Sequence, residues 1–171
     1  MKHSLVLLCA LAALGLTQNG LAQDVDVEFD ETVNFANFKT FRIGDGNLNT
    51  KAPLLNNELT RKKIENEIRL RLTAKKLTEV TTGRPDLAVR YNLGAVRSTD
   101  TNVIRGRRGR VVGAVKSATA EGILTIDLLD GTSRDLLWRA VAVEEERDPA
   151  KLQDKLDEMV KKAFDKYPPK K

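Results

Sequence analysis

Five arginines crowd one short stretch of the chain: Arg97, Arg105, Arg107, Arg108 and Arg110 fall between positions 97 and 117, with Gly106, Gly109 and Gly113 among them. Guanidinium forks match phosphate oxygens two at a time, and glycine lets the backbone come close to a ligand. Arg105, Arg107, Arg108 and Arg110 are therefore the candidate binding residues, for an anionic lipid headgroup or another polyanion. No aromatic side chain is interleaved with them, so base stacking is not offered and nucleic acid is disfavoured. Without a ligand, the run reads as a solvated loop, an Arg/Gly-rich insert at 97–117.

Other reactive groups are few. We expect residues 1–22 to be a secretion leader, with Lys2 as its positive start, Leu5 to Leu16 as its apolar run and Gly20-Leu21-Ala22 as the small-x-small cleavage site. That run is about half of the roughly 20 residues a bilayer-spanning helix needs, so the mature chain, starting near Gln23, should carry no transmembrane segment and reside in the periplasm. Cys9 sits inside the apolar run and not at its end, which argues against lipid anchoring there. The one Cys and the one His, Cys9 and His3, leave with the leader. Disulfides, thiolate nucleophiles, Cys/His zinc sites and a Ser-His-Asp triad leave with them.

Carboxylates, Lys, Ser/Thr and Tyr remain as general acids, bases or nucleophiles. The chain has no Ser-x-x-Lys, no Gly-x-Ser-x-Gly and no Walker-type loop. Asp127 and Arg139 should face each other on adjacent strands, an arrangement that is ordinarily structural. Glu144-Glu145-Glu146 alternates sides along a strand, so its carboxylates do not converge on a cation. We assign no catalytic residue, no metal site and no cofactor. The balance of 29 Lys+Arg against 24 Asp+Glu is mildly basic and only weakly favours acidic partners.

The element positioning everything else is a hairpin in Glu121 to Glu144. Ile123 to Leu129 and Leu136 to Val143 read as strands joined at Asp130-Gly131, a turn signal. Leu124, Ile126 and Leu128 share a face, as do Leu136, Trp138, Ala140 and Ala142, and Trp138 should anchor the core. Upstream, Asp24 to Glu28 alternates as a half-buried strand with Val25, Val27 and Phe29 on one face, Phe35 to Ile43 reads as a second, and Leu77 to Thr81 and Leu87 to about Val96 as further ones. Asn56 or Asn57 should cap a helix running to about Lys76 with Ile64, Ile68 and Leu72 buried. Its acids, paired as Glu58 with Lys62, Glu65 with Arg69 and Glu67 with Arg71, would repel phosphate and disfavour a DNA-reading role. Asp148 and Pro149 open a closing helix with a stripe from Leu152 to Phe164 and pairs of Asp157 with Lys161 and Glu158 with Lys162. The expectation is one α+β domain over 23–171: a mostly antiparallel sheet of about five strands with two long helices packed on one face.

In this order and spacing, Phe38-Lys39-Thr40-Phe41, Pro85-Asp86-Leu87, Gly122-Ile123-Leu124, Leu137-Trp138-Arg139 and the helix closing on Tyr167-Pro168-Pro169 resemble the bacterial envelope family known as domain of unknown function 4136. The resemblance implies an exported domain, often lipid-anchored, with no assigned role. The expected function is a non-catalytic structural or interaction module facing an envelope protein partner. The alternatives are polyanion or headgroup binding through the Arg-rich insert and, behind that, a carboxylate-based hydrolase.

Overall fold

A computed structural model describes residues 24–44, 46–105, 111–146 and 148–170. The expected leader, 1–22, lies outside them. Period-two alternation builds the main sheet from β1 (Asp24–Phe29), β5 (Leu87–Arg105), β6 (Val111–Asp130) and β7 (Leu136–Glu145). Directly paired residues share a face. Val89 opposite Leu128 and Tyr91 opposite Ile126 continue an apolar inner face that runs through Trp138 and Ala140. The outer face carries Glu28, Arg139, Asp127 and Arg90, which are register partners across four adjacent strands.

Three short strands complete the sheet: β2 (Thr40–Ile43), β3 (Asn47–Asn49) and β4 (Thr78–Glu79). The order is β1-β7-β6-β5-β2-β4, with β3 also beside β5. Pairing is antiparallel from β1 to β5, whereas β2 and β3 run parallel to β5, and β4 runs parallel to β2. The expected five mostly antiparallel strands are thus corrected to a seven-stranded mixed sheet. Strands of two to four residues are too short for alternation to register, and a chain that passes through a helix between neighbouring strands can return parallel.

Helix α1 (Glu58–Ala74) starts where the Asn57 side chain accepts from the Thr60 amide at 2.9 Å. Helix α2 (Pro149–Asp165) starts where Asp148 accepts from the Ala150 amide at 2.9 Å, with Pro149 where its missing N–H leaves nothing unpaired. Ile64, Ile68 and Leu72 of α1 join Leu156, Val160 and Phe164 of α2 in one core with the inner sheet face. Polar contacts fasten the helices together: Lys63 Nζ donates to the Gln153 carbonyl at 2.8 Å, and Gln153 Nε2 to Thr60 Oγ1 at 2.8 Å.

Several local expectations change. A register shift between Leu128 and Leu129 pairs Leu129 with Leu136, so Leu137 turns inward and Leu136 is exposed. Arg69 leaves Glu65 for Glu79, while Glu65 accepts from the Tyr91 hydroxyl at 2.8 Å. Asp157 reaches Lys63 of the other helix at 3.5 Å. A 3-10 turn at Phe35–Asn37 interrupts the second expected strand. The stretch 97–117, read as an insert, is strand on both flanks: pairing continues from Arg97 opposite Ala120 to Arg105 opposite Val111.

Candidate functional site

Beyond Gly94 no residue of β5 pairs with β3, and before Glu121 no residue of β6 pairs with β7. From there β5 and β6 pair only with each other, as a two-stranded arm. At 3.3 Å per residue this arm extends about 30 Å past the sheet. Arg105 is its last β5 residue, and Val111 its first β6 residue. Of the four candidate arginines, Arg107, Arg108 and Arg110 lie outside the described residues. Arg105, the one described member of the four, stands at the last paired position of the arm.

On the outer face, Arg139 holds Asp127 with both prongs of its fork, Nε to Oδ1 at 2.7 Å and Nη2 to Oδ2 at 2.9 Å. The hydrogen bond to Asp127 raises the Arg139 pKa. Glu144 is turned inward and buried, and is engaged by Lys155 of α2. Trp138 is fully buried, stacked on Phe164 with ring centroids 5.6 Å apart and edge-on to Tyr167 at 5.6 Å. It is a core residue, away from solvent.

A second arrangement escaped the sequence reading. A recess of about 270 Å³ opens on the sheet face opposite the helices. Its floor is Ala88 and Leu129, register partners that are buried although they point outward. Arg42 from β2, Arg90 from β5 and Arg134 from the β6–β7 turn line it. Arg42 is held by neutral acceptors, Nε donating to the Val80 carbonyl at 3.1 Å and Nη2 to the Gly83 carbonyl at 2.6 Å. The only sequence signal was the position of Arg42 and Arg90 on the polar phase of their strands. Arg134 lies 44 residues beyond Arg90 in the chain, so only the turn's docking brings it there.

That docking rests on Asp86. Its Oδ2 accepts from the amides of Lys39 and Thr40, each at 2.9 Å, and its carbonyl accepts from the Gly131 amide at 2.8 Å. The amide of Lys39, then that of Thr40, holds the Asp86 carboxyl below its ordinary range against the opposing effect of burial. Two segments quoted for the family resemblance, Lys39-Thr40 and Pro85-Asp86, are thereby joined.

The family model described as Domain of unknown function (DUF4136) matches residues 25–169. The chain belongs to this family. The match spans the whole arrangement above, from β1 through the arm to the end of α2. No protein with curated function matches the sequence. Among solved structures, the chain is similar to a PDZ domain protein from Parabacteroides distasonis, with 19% identity and a TM-score of 0.59 over 86% of this chain and 36% of that one. It is also similar to a PelC dodecamer from Paraburkholderia phytofirmans, with 11% identity and a TM-score of 0.50 over 84% and 95% of the two chains. The chain thus spans little more than a third of the first structure, and at these identities the likeness is one of fold alone.

Proposed function

We propose that the protein is an exported, non-catalytic interaction module of the cell envelope that engages its partner through the β5–β6 arm. The observation carrying this reading is the arm's pairing pattern: ten or so residues on each strand hydrogen-bond only to each other, leaving both outer edges without a described partner strand. A lone two-stranded ribbon is marginally stable in water, and free strand edges are templates for adding another strand. Binding rather than turnover is favoured by the paired state of the acids: Asp127 is taken by Arg139, Glu144 by Lys155 and Glu67 by Arg71. The recess on the outer face has three arginines and, among the described residues, no acid or nucleophile in its lining.

The test replaces residues 97–120 by Asn-Gly, a two-residue turn that closes the hairpin between Val96 and Glu121. Crosslinking in intact cells and light scattering on the purified protein then compare the variant with the full chain. The expected result is a retained helical signal and an unchanged melting temperature with loss of the crosslinked partner, or of self-assembly where the partner is a second copy. Retention of every crosslinked species, or a measurable hydrolytic activity, overturns the reading. N-terminal sequencing of the periplasmic fraction should find the mature chain beginning near Gln23, and recovery of the unprocessed chain in the cytoplasm would remove the export part.

Polyanion binding by Arg105, Arg107, Arg108 and Arg110 is the second reading, favoured by the place of Arg105 at the last paired position of the arm. It predicts salt-sensitive retention on heparin or lipopolysaccharide, lost when all four become Ala. Equal retention of the quadruple variant removes it.

A further inference from the structure

The three arginines of the outer recess belong to no ion pair among the described residues. Of the acids on the adjoining strands and turn, three are engaged elsewhere, and Asp135, the neighbour of Arg134, is exposed and not part of the recess lining. Asp127, the register partner of Arg90, is held by both prongs of Arg139. Asp86 accepts from the Lys39 and Thr40 amides, and Asp130 from the Thr132 and Ser133 amides at 2.7 and 2.8 Å. Three guanidinium groups therefore line one concavity with no ion-pair partner among the described residues.

Each is placed by a different device. Arg42 is fixed by the Val80 and Gly83 carbonyls, which orient its fork without neutralising it. Arg90 is set by strand alternation on β5. Arg134 sits in the turn with φ of 68°, left-handed backbone that glycine would occupy at lower cost. The chain holds an arginine there instead.

We propose that this recess binds a phosphoryl group, with Arg42, Arg90 and Arg134 as its cationic partners and Ala88 and Leu129 as an apolar floor. A phosphoryl group carries about 1.5 to 2 negative charges at neutral pH and three acceptor oxygens, matching three forks better than a single carboxylate does. Ligand pockets commonly hold roughly 300 to 1,000 Å³, so a recess of about 270 Å³ fits a phosphate monoester or a headgroup and not a large cofactor. The phosphoryl group is either soluble or part of a lipid headgroup. The site is independent of the arm, and its failure would leave the arm's role standing.

The experiment titrates the chain carrying Asn-Gly in place of 97–120 once its fold is verified, and the full chain alongside, so that the arm's arginines cannot mimic the result. Inorganic phosphate is added at constant ionic strength and followed by amide chemical shifts of β5 and the β6–β7 turn. Saturable shifts are expected, with affinity at least tenfold weaker in both Arg90→Ala and Arg134→Gly. Arg134→Gly relieves the left-handed backbone, so it should melt no lower than the parent while binding worse, a combination that a purely structural role for Arg134 does not produce. Sedimentation with phosphatidic acid vesicles, against phosphatidylcholine vesicles, separates the sources. Co-pelleting that is lost in the same variants assigns a lipid headgroup, and phosphate binding without co-pelleting assigns a soluble phosphate. Absence of saturable phosphate binding, or unchanged affinity in both variants, overturns the site.

Discussion

Asp86 and Thr40 bond each other in both directions: the Asp86 carboxylate accepts the Thr40 amide, and the Thr40 hydroxyl accepts the Asp86 amide, each at 2.9 Å. Forty-six residues separate them in the chain, and the pair aligns the start of β2 with the start of β5. Through its carbonyl, Asp86 also receives the β6–β7 turn.

Replacing Asp86 by Ala should cost about 1 to 2 kcal/mol, because amide donors lose a charged acceptor while remaining partly reachable by water. Urea unfolding measures this. An effect within error would mean that water replaces the carboxylate fully.

Acid should act through the same group. The folded-state pKa of Asp86 is lowered, and so is that of Asp130, held by the Ser133 and then the Thr132 amide. A depressed carboxyl contributes stability in full above its unfolded value near 4, and loses it as pH falls through the lower folded value. Stability from these groups should be flat from pH 7 to about 5 and fall below about 4. Asp86→Asn and Asp130→Asn should each flatten that acid limb, and an unchanged limb in both would discount the two groups.

Tyr167 buries a hydroxyl without a hydrogen-bond partner among the described residues, and burial pushes its pKa up to about 12. Its ring packs edge-on against Phe35, Trp138 and Phe164. Tyr167→Phe keeps those contacts and removes the orphan, so it should gain about 1 kcal/mol. Because a raised folded pKa gives stability that is lost as pH rises, wild type should weaken from about pH 10 upward while the Phe variant weakens less. A loss of stability at pH 7 would reveal a bound water on the hydroxyl.

Gly131 has no room for a side chain: a Cβ there would stand 1.7 Å from the Pro85 carbonyl oxygen, which is backbone and cannot rotate away. Gly131→Ala should destabilise by about 3 kcal/mol, the upper end for overpacking, and shift the Pro85–Asp86 amide signals. A neutral substitution would show that the turn is loosely docked.

A double-mutant cycle on Asp127 and Arg139 should return a coupling of about 0.5 to 1 kcal/mol that shrinks in salt, as for a cross-strand charged pair. Coupling near zero would make their bidentate geometry incidental.

The long periodic elements were legible because each repeats one local rule many times. Asn57 and Asp148 announce their helices by side-chain chemistry, and Ile64, Ile68 and Leu72 recur every four residues. Asp127 and Arg139 could be matched because a short turn sets their register. Choices between near-equal partners were not legible: nothing local tells Arg69 to prefer Glu79 over Glu65. Leu136 depended on a bulge one residue away. Glycines between positions 106 and 113 suggested a loop, whereas cross-strand pairing on both described flanks overrides that local preference. The Arg42, Arg90 and Arg134 recess was invisible because it unites two strands and a turn whose meeting depends on Asp86.

The described backbone pairing of the arm runs only between its own two strands, so its length is uncoupled from whether the domain folds. One residue added to each strand moves the tip outward by about 3.3 Å and exchanges which of its two sides each tip residue presents. Reach and facing can therefore drift across relatives like the setting of a ruler, in steps that the hydrophobic core never senses.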